Sequence, residues 1–163
     1  MEKGKIHIYT GDGHGKTPAA LGEALYAAAD GKQVIIIQFM KGKGFLEQEF
    51  TKRLEPEIKI FSFEKADADY LDLSSKQQEE EKINIRNGIN FAKKVLTTGG
   101  CDLLILDEVL GLLDLGIISA EDLKALLEAK DEETTIILTG IQLKEEVMSL
   151  ADEISKIESM PIA

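Results

Sequence analysis

The chain is poor in the residues that mark disulfide-rich, membrane-spanning or nucleic-acid-binding proteins. Its 163 residues include one cysteine, no tryptophan and two arginines, Arg53 and Arg86. A single cysteine excludes an internal disulfide, and Cys101 opens an apolar run, where we expect a small buried side chain rather than a nucleophile. No apolar run reaches the roughly 20 residues of a membrane-spanning helix, and no charged-then-apolar leader opens the chain. We therefore expect a soluble, cytoplasmic protein.

Positive charge is also scarce. The chain has 30 acidic and 19 basic residues, which gives a net charge of −11. Nucleic acids and membrane surfaces present negative charge, so we expect neither as a partner. With so few arginines, a bound triphosphate would be held mainly by backbone amides, a lysine and a metal ion. The length and the apolar content of 44% predict one globular domain over residues 1–163.

The most informative stretch that is present lies between residues 6 and 20. An alternating apolar run over residues 6–10 leads into three glycines spaced two apart, then into Lys16-Thr17 and an alanine-rich segment. This order predicts a strand, a phosphate-binding loop and the start of a helix. The first glycine, Gly11, comes one residue later than in the usual pattern. An ordinary strand-to-helix turn without a ligand is the alternative.

We predict that this loop binds the phosphates of a nucleotide. Small residues let backbone N–H groups converge on phosphate oxygens, and the positive end of the helix adds to that field. Lys16 would supply a point charge, and the Thr17 hydroxyl would be a ligand for Mg²⁺, with Mn²⁺ as a possible substitute. The predicted binding residues are Gly11, Asp12, Gly13, His14, Gly15, Lys16 and Thr17.

Two adjacent acids end another apolar run, about ninety residues after the loop. The strand pattern over residues 102–106, apolar from Leu103 onward, is followed directly by Asp107 and Glu108. One carboxylate can hold Mg²⁺, directly or through water, and the other can orient the metal shell or a reacting group. We therefore predict Asp107 and Glu108 as metal ligands beside Thr17, and Lys16 and Glu108 as the catalytic residues. The alternative is that the two acids form a cap or a turn.

Strand and helix patterns alternate along the chain. We predict strands over residues 5–9, 32–39, 58–63, 102–108, 134–139 and 153–159, and helices over residues 15–30, 46–54, 75–98, from 119 onward and over 143–152. Ser75 and Gln78 form a plausible capping box for the long third helix. This alternation predicts an α/β fold, a P-loop NTPase-like three-layer αβα sandwich with a mainly parallel sheet.

Two further strands end in residues that a ligand could use. Lys41 follows the second strand and could meet a phosphate, although a solvated loop is equally compatible with the pattern. Phe61 and Phe63 end the third strand. Aromatic rings at this edge can cover a flat cofactor, but packing is the interpretation that residue chemistry alone favours.

Taken together, these motifs resemble the ATP:corrinoid adenosyltransferases, the family that acts on cob(I)alamin and cob(I)yrinic acid a,c-diamide. Residues 11–17 are similar to the family's Gly-Asn-Gly-Lys-Gly-Lys-Thr, including the late first glycine. Residues 38–42 are similar to Gln-Phe-Ile-Lys-Gly, and residues 61–64 to Phe-Thr-Trp-Glu. Residues 106–108 and 139–140 stand where the family has Leu-Asp-Glu and Thr-Gly. The resemblance covers nearly the whole chain.

The resemblance implies a specific reaction. A Co(I) corrinoid attacks the 5′ carbon of ATP and inorganic triphosphate leaves, so the loop would grip a leaving group. It also implies that Phe61 and Phe63 line the corrinoid face, and that the protein is a homodimer. The chain departs from the family pattern at His14, Pro18 and Ile141, where the family has lysine, threonine and arginine, and Phe63 replaces a tryptophan.

Other functions fit the same motifs. A non-catalytic ATP- or corrinoid-binding relative would bind nucleotide without forming a cobalt–carbon bond. A P-loop phosphotransferase or ATPase would release ADP or phosphate rather than triphosphate. A structural subunit that uses the fold only as a platform would not need Lys16 and Thr17.

Overall fold

The computed structural model describes residues 3–39, 46–63 and 68–162. Within them, six strands form one sheet in the order β3-β2-β4-β5-β1-β6, and every pair of neighbours is parallel. The strands are β1 (Ile6–Thr10), β2 (Val34–Gln38), β3 (Ile58–Ser62), β4 (Leu103–Asp107), β5 (Thr135–Thr139) and β6 (Glu153–Lys156). Their carboxyl ends therefore meet at one edge.

The helices connect these strands. They are α1 (Lys16–Ala29), α2 (Gln48–Lys52), α3 (Ser75–Thr97), α4 (Val109–Asp114), α5 (Ala120–Glu128) and α6 (Glu145–Met148), and a 3₁₀ turn spans Tyr70–Asp72. Because α3 lies between the parallel strands β3 and β4, it starts near the carboxyl edge and returns to the amino edge.

Alternate strand residues form two apolar clusters, one on each face of the sheet. The cluster that packs against α1 contains Val34, Ile36, Ile58, Leu103, Ile105 and Ile137. The larger cluster on the other face contains Ile37, Leu104, Leu106 and Leu138 together with buried residues of α3, α4 and α5. The predicted α/β sandwich with a parallel sheet is thereby confirmed.

Two predicted single-residue environments are also confirmed. A histidine in the middle of a central strand such as β1 is expected to be packed and hydrogen-bonded, and His7 is buried, with its Nε2 2.8 Å from Ser155 Oγ. Cys101 is buried, and burial raises the pKa of its thiol to about 12. A thiol of this kind stays protonated near neutral pH and is a poor nucleophile.

The predicted capping box is wrong by one residue. Ser74, not Ser75, precedes α3: its Oγ accepts the Gln77 N–H at 3.2 Å, and Gln77 Oε1 accepts the Ser74 N–H at 3.0 Å. Ser74 has the extended backbone that a capping residue adopts, with φ −65° and ψ 161°, whereas Ser75 is already helical.

The predicted helix over residues 143–152 is limited to four residues, and α4 was not predicted. Lys144 is extended and Ser149 already follows the last helical residue, Met148. Beyond it the chain turns so that the Asp152 carboxylate accepts the Ile6 N–H at 2.8 Å, which ties this segment to β1. Tertiary contact with the sheet therefore overrides the helical periodicity.

Candidate functional site

The glycine loop lies at the carboxyl edge, between β1 and α1. Gly15 has φ 114°, a left-handed conformation that favours glycine, and α1 begins at the next residue, Lys16. Pro18 falls in the first turn, where a missing N–H costs the helix no hydrogen bond. The N-terminal end of α1 therefore opens directly from the loop.

The Lys16 side chain folds back over the loop. It is 9% exposed, and its Nζ donates to the Gly13 carbonyl oxygen at 2.9 Å. Its charge is thereby held within the turn rather than in bulk solvent. A lysine in this place can meet phosphate oxygens that enter the loop.

Asp107 links the loop to the neighbouring strands. This carboxylate is 1% exposed. Its Oδ1 accepts the Thr17 hydroxyl at 2.9 Å and the Thr139 hydroxyl at 2.8 Å, and Thr139 Oγ1 in turn accepts the Glu108 N–H at 2.8 Å. The ends of β4 and β5 and the start of α1 thus converge on one carboxylate.

The oxygen atoms gathered here suit a hard divalent cation. A threonine hydroxyl and a carboxylate are oxygen ligands of the kind that Mg²⁺ takes, with water and phosphate completing the shell. The residues present therefore fit the predicted metal.

Glu108 lies beside this network in an unusual backbone conformation. Its φ is 64°, and among the described residues it is the one non-glycine with positive φ. Such a conformation costs of order 1–3 kcal/mol and recurs at functional sites. The Glu108 side chain is half-buried, and the residue stands between Asp107 and the start of α4 in the sequence.

The segment after β6 packs against the loop, a contact that the sequence did not indicate. The Ile157 carbonyl oxygen accepts the Gly13 N–H at 3.0 Å, and Ser159 Oγ accepts the His14 N–H at 3.3 Å. A Cβ on Gly11 would lie 2.1 Å from the Ile157 carbonyl oxygen. The missing side chain of Gly11 thus leaves room for this segment and also permits the turn.

The other predicted site residues are distributed as follows. The side chains of Asp12 and His14 are exposed. Phe61 and Phe63 are half-buried at the end of β3, and both contact the ring of Phe91 on α3. Lys41 lies outside the described residues.

Two buried polar side chains were not predicted as site residues. Gln38 ends β2, pairs in register with Asp107 and is 4% exposed; among the described residues its Nε2 has no hydrogen-bond partner. The run of three acids at residues 79–81 predicts a solvated face of the helix, but Glu81 is 5% exposed and continues the buried side of α3 towards the carboxyl edge. The motif match at residues 38–42 could have pointed to Gln38; no local signal distinguishes Glu81 from Glu79 and Glu80.

A family model described as "ATP:corrinoid adenosyltransferase BtuR/CobO/CobP" matches residues 2–161. The chain belongs to this family. Its relatives include the corrinoid adenosyltransferase of Escherichia coli (strain K12), 29% identical over 156 residues, which are 96% of this chain and 77% of that protein. Corrinoid adenosyltransferase CobA of Salmonella typhimurium is 28% identical with the same coverage. The resemblance found in the motifs is thereby confirmed, as is its activity class, the ATP-dependent adenosylation of corrinoids for which the family is named.

The fold recurs beyond the adenosyltransferase family. The KaiC-like protein PH0186 of Pyrococcus horikoshii OT3 superimposes with a TM-score of 0.60 over 99% of this chain and 76% of that one. At 16% sequence identity this similarity concerns the fold alone.

The positions at which this adenosyltransferase chain departs from the motif pattern surround the loop. His14 and Pro18 lie in the loop and in the first turn of α1. Ile141 has an exposed side chain, but its carbonyl oxygen accepts the Gly11 N–H at 3.2 Å and the Thr10 hydroxyl at 3.1 Å. Its backbone therefore supports the loop, whichever side chain it carries.

None of the helices formed by the described residues combines the length and the apolar character needed to cross a bilayer.

Proposed function

We propose that this chain transfers the 5′-deoxyadenosyl group of ATP to the Co(I) centre of a reduced corrinoid, cob(I)alamin or cob(I)yrinic acid a,c-diamide. The observation that carries the proposal is the convergence of Thr17 and Thr139 on Asp107, with the Lys16 ammonium held inside the adjoining loop. This arrangement suits a polyphosphate and its metal ion. Family membership supplies the corrinoid as the acceptor.

The reaction is a displacement at carbon. The electron pair of Co(I) forms the bond to C5′ of ATP, the C5′–O5′ bond breaks, and triphosphate leaves with that electron pair, so that cobalt rises formally from +1 to +3. No phosphoryl group is transferred. The loop therefore acts on the group that departs.

In this mechanism the protein stabilises negative charge that grows on the triphosphate. Lys16 lies within the loop and is buried, so its charge acts through little intervening water. The start of α1 adds the positive end of the helix. Bound Mg²⁺, for which Mn²⁺ could substitute, would neutralise part of the same charge, with Thr17, Asp107 and Glu108 as the residues that hold it.

The corrinoid would lie against Phe61 and Phe63. Both rings are half-buried at the end of β3, at the same edge as the loop, and apolar rings favour cobalt that has lost its lower ligand. Packing against Phe91 and a role in lining the corrinoid are compatible, since a half-buried ring keeps part of its surface open.

The test is an assay of Lys16→Ala with ATP, Mg²⁺ and a reduced corrinoid, in which both cobalt–carbon bond formation and triphosphate are measured. We expect the wild type to release one triphosphate per adenosylated corrinoid and Lys16→Ala to lose this activity. Lys32→Ala, an exposed lysine just beyond α1, is the matched control. Running cobalamin and cobyrinic acid a,c-diamide side by side decides the acceptor.

Two results would contradict the proposal. Release of ADP or phosphate in place of triphosphate would favour the phosphotransferase or ATPase. Full activity in Lys16→Ala would remove the phosphate role of the loop.

We also propose a cytoplasmic location, one domain and a homodimer. These follow from the composition and the family resemblance, and sedimentation of the purified protein tests the dimer.

A further inference from the structure

Phe61 and Phe63 are held from one side by a third aromatic ring. Phe91 of α3 meets Phe61 edge to face, with ring centroids 4.8 Å apart and planes at 63°, and meets Phe63 at 5.8 Å and 39°. Aromatic pairs at these separations attract each other and prefer particular angles. One residue of α3 therefore contacts both rings that are proposed to meet the corrinoid.

One helical turn earlier, Gly88 leaves room for one of these rings, Phe63, and for the buried ring of Phe39. A Cβ at Gly88 would lie 2.8 Å from Phe63 Cγ, 3.0 Å from Phe63 Cβ and 2.8 Å from Phe39 Cε1. Glycine weakens a helix interior relative to alanine, and Gly88 has no positive φ that would require it. The close approach of the two phenylalanines is what requires a glycine here.

These contacts matter because β3 is the outermost strand. Within the described sheet, β3 pairs with β2 alone, so no further strand packs beside Phe61 and Phe63 on the outer side. Phe39, the other ring that touches Gly88, is fully buried and has little room to move. A Cβ added at position 88 would therefore change the contact between α3 and Phe63.

We propose that Phe91 and Gly88 are positioning residues for the corrinoid: they set the angle and depth of Phe61 and Phe63 without touching ATP. This inference rests on the proposed function, since it assumes that these two rings face the corrinoid. It makes α3 a determinant of corrinoid binding, separate from the phosphate loop on α1.

The test compares Gly88→Ala and Phe91→Leu with the wild type in two measurements. The first is the pair of KM values, for reduced cobalamin and for ATP. The second is a titration with cob(II)alamin, which reports binding and the cobalt absorption spectrum without turnover. We expect KM for cobalamin to rise, or kcat to fall, roughly tenfold to a hundredfold, since misplacement of positioning groups by about 1 Å has effects of this size. KM for ATP should stay within about twofold, because Lys16 and Asp107 are unchanged.

Matched variants separate positioning from stability. Gly22→Ala places a Cβ in another helix with nothing within 4 Å, and we expect it to leave both KM values unchanged. Phe91→Tyr keeps the aromatic ring and should restore the cobalamin KM and the spectrum that Phe91→Leu alters. If Gly88→Ala fails to fold, the comparison of Phe91→Leu with Phe91→Tyr still tests the inference.

The outcomes distinguish this inference from the proposed function. Folded Gly88→Ala and Phe91→Leu proteins with wild-type cobalamin KM, kcat and spectrum would overturn the inference and leave the function standing. A wild type that binds cob(II)alamin without adenosylating the reduced form would overturn the proposed function. The inference would then be tested by the cob(II)alamin titration alone, in which the variants are compared with the wild type. A wild type that neither binds nor adenosylates would overturn both.

Discussion

At the scale of single residues, the site contains buried polar groups that lie where several helices and strands end. Asp107 receives hydroxyls from α1 and β5 through one oxygen atom. Gln38, its neighbour in register on β2, has an Nε2 group with no hydrogen-bond partner among the described residues. A buried donor left without a partner costs roughly 1–3 kcal/mol, and proteins tolerate such a cost where a ligand will supply the partner.

Gln38→Met tests this interpretation. The change removes the amide and keeps a side chain of similar length, so we expect the free energy of unfolding to stay the same or rise by about 1 kcal/mol, while the adenosylation rate falls. Urea unfolding and the triphosphate assay measure the two effects. Gln142→Met, at an exposed glutamine, should change neither. A marked loss of stability together with full activity would mean that the amide is structural.

His7 gives the fold a pH dependence. Burial lowers the pKa of His7, and Lys5 lowers it further, while Glu153 and Glu23 act in the opposite direction. The ring lies between Tyr9, at a centroid distance of 4.3 Å, and Ser155. Protonation is therefore less favourable in the folded state than in the unfolded chain, whose histidine titrates near pH 6.5.

The sign of the effect follows from proton binding. Below about pH 6.5, His7 binds a proton in the unfolded chain more readily than in the folded protein. The folded state is therefore fully stable, as far as His7 is concerned, above this pH, and it loses that stability as the pH falls through the lower pKa of the folded state. We expect the free energy of unfolding to fall as the pH drops below about 7, and His7→Gln to flatten that slope. His14→Gln, at the exposed second histidine, is the control. Equal slopes in wild type and His7→Gln would contradict the assignment.

At the scale of elements, local signals predicted the loop and the start of α1 correctly, because Gly15 and Lys16-Thr17 define that turn within a few residues. Local signals did not identify the capping residue of α3, because two neighbouring serines satisfy the capping pattern equally well. Ser74 and Ser75 each precede a glutamine three residues later, and only the extended backbone of Ser74 decides between them. Local signals also did not predict contacts between segments that are far apart in the sequence. Ser159 is 145 residues from His14, and neither residue lies in a sequence pattern that predicts contact with the other.

The two candidate caps provide a direct comparison. Ser74→Ala removes the acceptor of the Gln77 N–H and should lower the free energy of unfolding by about 1 kcal/mol. Ser75→Ala changes a residue already inside the first turn and should have a much smaller effect. Urea unfolding of the two single variants measures the difference. Equal losses would show that the cap is not fixed at Ser74.

At the scale of the whole molecule, the charge of −11 opposes an anionic substrate. In the proposed site, ATP approaches an acidic protein and is attracted by Lys16 in the loop and by the N-terminal end of α1. Binding of ATP together with Mg²⁺ lowers the charge of the incoming ligand, so overall electrostatics favour the metal complex. The same reasoning supports our proposal that a carboxylate-held metal takes part in ATP binding in this chain, which has few arginines.

The proposed dependence on a metal predicts how the nucleotide changes thermal stability. A ligand that binds only the folded state stabilises it by RT ln(1 + [L]/Kd), about 2.7 kcal/mol at a hundredfold excess over Kd. For a chain of this length that corresponds to a rise in Tm of roughly 5 to 10 °C. We expect ATP with Mg²⁺ to give this rise, ATP with EDTA to give much less, and Lys16→Ala to abolish it, while Lys32→Ala keeps it. A Tm that rises equally in Lys16→Ala would place the nucleotide elsewhere, and a rise that is indifferent to EDTA would leave Asp107 as a structural acceptor for Thr17 and Thr139 rather than a metal ligand.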